Sequence, residues 1–312
     1  MSMLSSVAER LYWMARYLER VESTARLIAA YNHLIMDIPR GAEPSWGIMV
    51  NILDAQAIFA ERFRVDNEQN VLRLLVAEKD APCSIPFSVR AVRENVRTTR
   101  DVLPEEAWEL VNEFYLYVHE EASSSVGRRN RHAYLAEVIA RCQMINGLLG
   151  SALSRDHTYR FIKLGRLLES ADMTTRVVDV GAGDIMDRAG QYGAIDPLLW
   201  GALLQALSAG SAYRREVGPI VEKDAAVAFV FLNTTFPRSV AFCLRGIREE
   251  LRPLKRHDEA LRAVDRLRRR LPRLGRHGTT REELHQLIDN FQQQLGGLDY
   301  TIHQTWFRAP ER

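Results

Sequence analysis

Apolar residues recur at three- and four-residue spacing along nearly the whole chain, the periodicity of helices that bury one face. Alternating runs of the kind that form half-buried strands are few and short. The best of them, Ala225 to Leu232, reads equally well as a buried helix. The pattern therefore predicts an all-α fold. Breaks fall at Pro39-Arg40-Gly41, Ala81-Pro82, Val102-Leu103-Pro104, Ala122 to Arg131, Gly181-Ala182-Gly183, Asp196-Pro197, Gly218-Pro219, Phe236-Pro237, Arg252-Pro253 and Leu274 to Gly278. They separate helices of ordinary to long length.

The chain also repeats itself. Arg16, Glu19, Thr24 and Arg26 match Arg166, Glu169, Thr174 and Arg176 at a spacing of 150 residues. Trp46-Gly47 matches Trp200-Gly201 at 154, and Pro86-Phe87-Ser88-Val89 matches Pro237-Arg238-Ser239-Val240 at 151. Arg93-Glu94 against Arg248-Glu249 stands at 155, which asks for a four-residue gain after the second Pro-x-Ser-Val, about one helical turn. Matched blocks kept in the same order point to a tandem duplication. The expectation is a multi-helix bundle of two pseudo-symmetric repeats, residues 1–150 and 151–312, packed as one body.

On a helical wheel Arg16, Glu19, Glu22 and Arg26 share an arc of roughly 120°, opposite Met14, Leu18, Val21, Ala25 and Ile28. Arg166, Glu169, Asp172 and Arg176 repeat the arc in the second copy. Three readings are open. The strips are solvated faces laced with weak ion pairs. Or they pair with each other, arginine of one to glutamate of the other, fixing register. Or they line a cleft in which Arg16, Arg166 or Arg176 grips a carboxylate or phosphate and Glu19 or Glu169 serves as general base. Glu22, Arg26, Asp172 and Thr174 are then further binding candidates. The repeated Pro-x-Ser-Val block reads as a helix start, a place that can also hold an anion, with Arg238 beside Ser239 as a candidate contact in the second copy.

Composition narrows the field. With 46% hydrophobic and 26% charged residues the chain has the balance of a folded globular protein. Its 42 basic and 40 acidic residues leave a formal charge of +2, so nucleic acid is not an expected partner of the chain as a whole. Residues 245–276 are the one strongly basic stretch, and an apolar stripe from Leu244 to Leu271 reads it first as a helix face. Cys83, Cys142 and Cys243 are odd in number and far apart, which fits neither a disulfide framework nor a zinc site. Glu9 and Arg10 interrupt any secretory leader, and no apolar run reaches membrane-spanning length; a cytoplasmic protein is expected. Phosphate-binding loops, the serine-hydrolase elbow and the zinc-protease helix motif are absent, so no cofactor or metal is expected.

The string Ala8-Glu9-Arg10-Leu11-Tyr12-Trp13-Met14-Ala15-Arg16-Tyr17-Leu18-Glu19-Arg20 resembles the opening of the bacterial alpha-E domain family, named for helical content and a recurrent Glu-Arg motif. Leu164-Gly165-Arg166 with Glu169, Asp172 and Thr174, Arg93-Glu94-Asn95 with Trp108 and Asn112, and Pro237-Arg238-Ser239-Val240 resemble its later blocks. One departure is Ser170, where the family often continues with arginine after glutamate. The genes of that family typically neighbour a circularly permuted ATP-grasp ligase, a transglutaminase-like peptidase and sometimes a proteasome-like hydrolase. The resemblance thus implies a helical accessory or scaffold protein in a system that makes or removes amide-linked peptide modifications, with an enzyme acting on amino-acid or peptide carboxylates as the alternative.

Overall fold

A computed structural model of the chain describes residues 3–39, 41, 43–187 and 195–308. The break expected at Arg40 lies outside them in part. The first half consists of α1 (Ser5–Asp37), α2 (Gly47–Ile52), α3 (Gln56–Arg62), α4 (Glu68–Leu72) widening into a π-helical turn at Arg73–Ala77, α5 (Ile85–Arg97), α6 (Glu105–Glu121) and α7 (Arg128–Ala152). The second consists of α8 (His157–Asp187), α9 (Asp196–Ala206), α10 (Gly210–Glu216), α11 (Lys223–Leu232), α12 (Val240–Leu251), α13 (Asp258–Arg270) and α14 (Arg281–Ile302), which ends in a π-helical turn at His303–Phe307. Among the described residues there is no strand, and the fold is all-α. The ambiguous run at Ala225 to Leu232 lies in α11. Among the same residues no helix is long and apolar enough to cross a membrane.

Among the described residues the two halves run through the same order of helices, although the π-helical turn closes α4 in the first and α14 in the second. Their turns match in detail. Leu53, Asp54 and Ala55 close α2 by donating to Met49, Asn51 and Val50; Leu207, Ser208 and Ala209 close α9 by donating to Leu203, Gln205 and Leu204. Every one of these atoms is displaced by 154 residues. Asp54 (φ 52°) and Ser208 (φ 57°) both take the left-handed conformation in which such helix ends terminate.

The long helices α1 and α8 cross at the centre, and one continuous apolar cluster draws on both halves. Each is packed by the fifth and seventh helices of its own half, α5 and α7 on α1, α12 and α14 on α8. The remaining flank is exchanged: α9 lies on α1, and α2 on α8. Close approach at the crossing requires Gly165, where a Cβ would stand 2.2 Å from the Tyr12 carbonyl oxygen.

Two sequence expectations are corrected. Gly181-Ala182-Gly183 does not stop a helix, because α8 continues to Asp187. Leu203 of α9 sits 3.3 Å from where a Gly181 Cβ would be, so tight packing offsets the roughly 1 kcal/mol by which glycine disfavours a helix interior. The register of the Pro-x-Ser-Val blocks is also different. The cap of α12 is Ser239, whose hydroxyl accepts from Phe242 N at 3.1 Å and donates to the Asn233 carbonyl. The cap of α5 is not Ser88 but Ser84, which accepts from Phe87 N at 3.2 Å and donates to the Glu78 carbonyl, likewise six residues upstream. Pro82-Cys83-Ser84 is therefore the counterpart of Pro237-Arg238-Ser239, at the same 155-residue spacing as Arg93 and Arg248. No four-residue gain is needed after it, and Cys83 stands opposite Arg238.

Candidate functional site

The polar strips of α1 and α8 face each other across the central crossing instead of facing solvent. Arg16 Nε donates to Glu169 Oε2 at 2.7 Å, and in the reciprocal pair Arg166 Nε lies 3.4 Å from Glu19 Oε2. Both glutamates are 1% exposed. Helical periodicity produces this because arginine and glutamate lie three residues apart on each strip, so two crossing helices present opposite charges to each other twice.

Each glutamate then receives a second guanidinium, from a different place in each half. Glu169 Oε1 accepts from Arg20 Nε at 2.6 Å, within the Glu19-Arg20 dipeptide of α1. Glu19 Oε1 accepts from Arg238 Nη1, which leads into α12, while Arg238 Nη2 reaches Glu22 at 2.9 Å. In the repeat Arg20 has no counterpart, because Ser170 stands at the matching position. The structure shows why it has none: Arg238, from the start of α12, does for Glu19 what Arg20 does for Glu169.

The periphery completes the network. Arg16 Nη1 donates to Asp299 Oδ1 at 2.8 Å, and Tyr12 OH donates to the same oxygen at 2.5 Å, bringing α14 into the cluster. Glu22 pairs with Arg26 at 2.8 Å and Asp172 with Arg176 at 2.9 Å. Arg176 also approaches Asp54 at 3.8 Å. Thr174 donates to the Arg238 carbonyl at 2.8 Å, whereas the matching Thr24 hydroxyl is buried without a partner. Asp299 lies in none of the repeated or family-like blocks; the packing of α14 on α8, with its closing turn on α1, brings it in.

Burial and charge pull the carboxylates apart. Burial alone would push the Glu169 carboxyl up, but Arg16 and Arg20 hold it down at about 2. Glu19 is pushed up by burial, only partly countered by Arg238 and aggravated by Glu22. Asp172 is likewise raised by burial against the pull of Arg176. Burial carries the Cys83 thiol up to about 11, which makes it a weak nucleophile.

Beside Glu169 lies a cavity of about 350 Å³ lined by Arg20, Asp54, Cys83, Glu169, Asp172 and Arg176, with Leu53, Ile58 and Met173 as apolar wall. Of the candidate residues, Glu169, Asp172 and Arg176 face this cavity; Arg16, Glu19, Glu22, Arg26, Arg166 and Arg238 are engaged in the clamp around the crossing. Ser239 serves as the α12 cap. In the basic stretch, Arg248 and Arg268 both bond Asp265, at 2.9 and 3.3 Å, tying α12 to α13.

A family model described as a predicted alpha-helical domain with a conserved ER motif, Alpha-E, matches residues 3–307. The chain belongs to the Alpha-E family. Similar proteins include an uncharacterised protein of Mycobacterium bovis, 22% identical over 319 residues, and an uncharacterised protein of Mycobacterium tuberculosis strain H37Rv, 21% identical over the same length. Each alignment covers 95% of this Alpha-E chain and 35% of the relative, so the chain spans about a third of the length of the curated relatives it matches. No solved structure matches it. In this Alpha-E domain Glu19 and Arg20 do not pair with each other: Glu19 is held by Arg166 and Arg238, and Arg20 holds Glu169.

Proposed function

We propose that this Alpha-E domain is a helical accessory protein that docks onto a circularly permuted ATP-grasp amide ligase or presents it with a peptide or amino-acid substrate. The observation that carries this reading is the reciprocal clamp, in which both oxygens of Glu169 are taken by guanidinium groups. A carboxyl held at about 2 is a poor proton acceptor at neutral pH, which counts against Glu169 as a general base. Glu19 is sealed under Arg166 and Arg238. The strips thus serve best as a register lock that leaves the outer surface for partners. The length of the mycobacterial relatives, in which the matched region is one part of a larger chain, is in keeping with a partner module. The transglutaminase-like peptidase and the proteasome-like hydrolase are secondary candidate partners on the same gene-context argument.

The test is co-purification with a tagged ATP-grasp ligase from the same genome, at low and moderate salt. Retention of this chain, and a change in ligase turnover on its addition, is the expected result. Clean separation at low salt refutes the reading.

A further inference from the structure

The two halves build the same crossing but fill it differently. In the second half Arg238, immediately before the Ser239 cap, lays its guanidinium across Glu19 and Glu22, one terminal nitrogen to each. In the first half the residue before the matching Ser84 cap is Cys83, too short to reach the matching pair, Glu169 and Asp172. Arg20 supplies the second contact to Glu169 through Nε. It makes no bond to Asp172, whose side-chain partner is Arg176, on Oδ2. Where the Arg238 side chain lies in one half, the other has the 350 Å³ cavity, within the range of small-ligand sites.

We infer that the cavity beside Cys83 binds a guanidinium-bearing ligand, arginine itself or an arginine side chain of a peptide, whose head group takes the place beside Glu169 and Asp172 that Arg238 takes beside Glu19 and Glu22. Glu169 is shared between Arg16 and Arg20, which leaves Asp54 and Asp172 against the guanidinium of Arg176, a lining that still fits a cation. An anion would have to displace Glu169 from Arg20 and Asp172 from Arg176, both at hydrogen-bonding distance. Leu53, Ile58 and Met173 offer apolar surface for the methylene stem, as arginine stems generally require. Asp54, with its side chain 76% exposed, marks the mouth through which the rest of the ligand leaves. A planar fork matching two carboxylates favours guanidinium over ammonium.

The inference deepens the substrate-presenting form of the proposed function but does not depend on the ligase. Arginine binding without ligase capture leaves it standing and removes the partnership; ligase capture without arginine binding does the reverse. The experiment is isothermal titration of the full chain with agmatine, L-arginine, Nα-acetyl-L-arginine amide, L-lysine, L-citrulline and inorganic phosphate. The guanidinium compounds are expected to bind, lysine more weakly, and citrulline, neutral but of similar shape, not at all. Tighter binding of the acetylated amide than of free arginine identifies a peptide side chain as the source; the opposite order identifies the free amino acid. Cys83→Arg, which installs the residue found in the other half, should weaken binding at least about tenfold. Should that variant fold poorly, Asp54→Asn keeps the left-handed turn, which asparagine tolerates, and should weaken binding a few-fold. Equal binding of citrulline, competition by phosphate, or unchanged affinity in every variant that folds overturns the assignment.

Discussion

Replacing Glu169 by glutamine tests the clamp most sharply, because the carboxylate is 1% exposed and bonded to Arg16 and Arg20 while glutamine keeps its shape. Depression of its pKa from 4.5 to about 2 corresponds to about 3 kcal/mol of stabilisation at neutral pH. Breaking a buried pair by removing one partner independently suggests about 3–5 kcal/mol. Arg16 retains Asp299 and Arg20 is 23% exposed, which argues for the lower figure. With an unfolding entropy scaling with 312 residues, about 3 kcal/mol corresponds to a melting temperature lower by about 5 °C. The carboxyl is depressed, so its contribution is complete above pH 4.5 and lost as pH falls through about 2. The gap between wild type and Glu169→Gln in urea titrations should therefore be constant from pH 7 to about 5 and close below 4.5. Glu19, pushed up by burial, has the opposite sign: its ionised form is disfavoured, and stability is lost as pH rises through its raised pKa. Glu19→Gln should thus cost clearly less at pH 7, with Arg238 still held by Glu22 and Ser23. Equal losses in the two variants, or a Glu169→Gln gap that persists at pH 2.5, refutes this account of the clamp.

Two further outcomes follow from local geometry. Ser84→Ala and Ser239→Ala each remove a matching cap and should each cost about 1 kcal/mol by chemical denaturation, whereas Ser88→Ala, inside the first turn of α5, loses no cap bond. Gly165→Ala drives a Cβ into the Tyr12 backbone at 2.2 Å and should cost about 3 kcal/mol or more, while Gly246→Ala meets only the flexible end of Leu167 at 2.7 Å and should cost clearly less in the same melt.

Helical class and the breaks at proline were legible because apolar spacing and proline act within one or two turns of chain. The repeated Arg, Glu, Thr and Arg pointed to the centre of the molecule because a buried charge network tolerates little drift. Where reading failed, the missing information was spatial. Gly181 and Gly183 looked like a stop because glycine costs a helix locally, yet α9 packs there and α8 continues. The Ser88 register looked right because Pro-x-Ser-Val recurs letter for letter, but which serine caps is decided by which carbonyl lies six residues upstream, at Glu78 and Asn233.

By itself, then, the sequence determined that the chain is helical, that it carries two matching strips of opposite charge, and that these strips matter together. Those properties are set by periodicity along one helix and survive without knowledge of its neighbours. Only the tertiary structure decided that the strips are buried against each other, that Arg20 and Arg238 serve equivalent glutamates from unrelated positions, and that Cys83 leaves room where Arg238 fills it. Charge pairing and empty volume are properties of surfaces brought together from 150 residues apart, and no local pattern encodes which of two similar surfaces remains open.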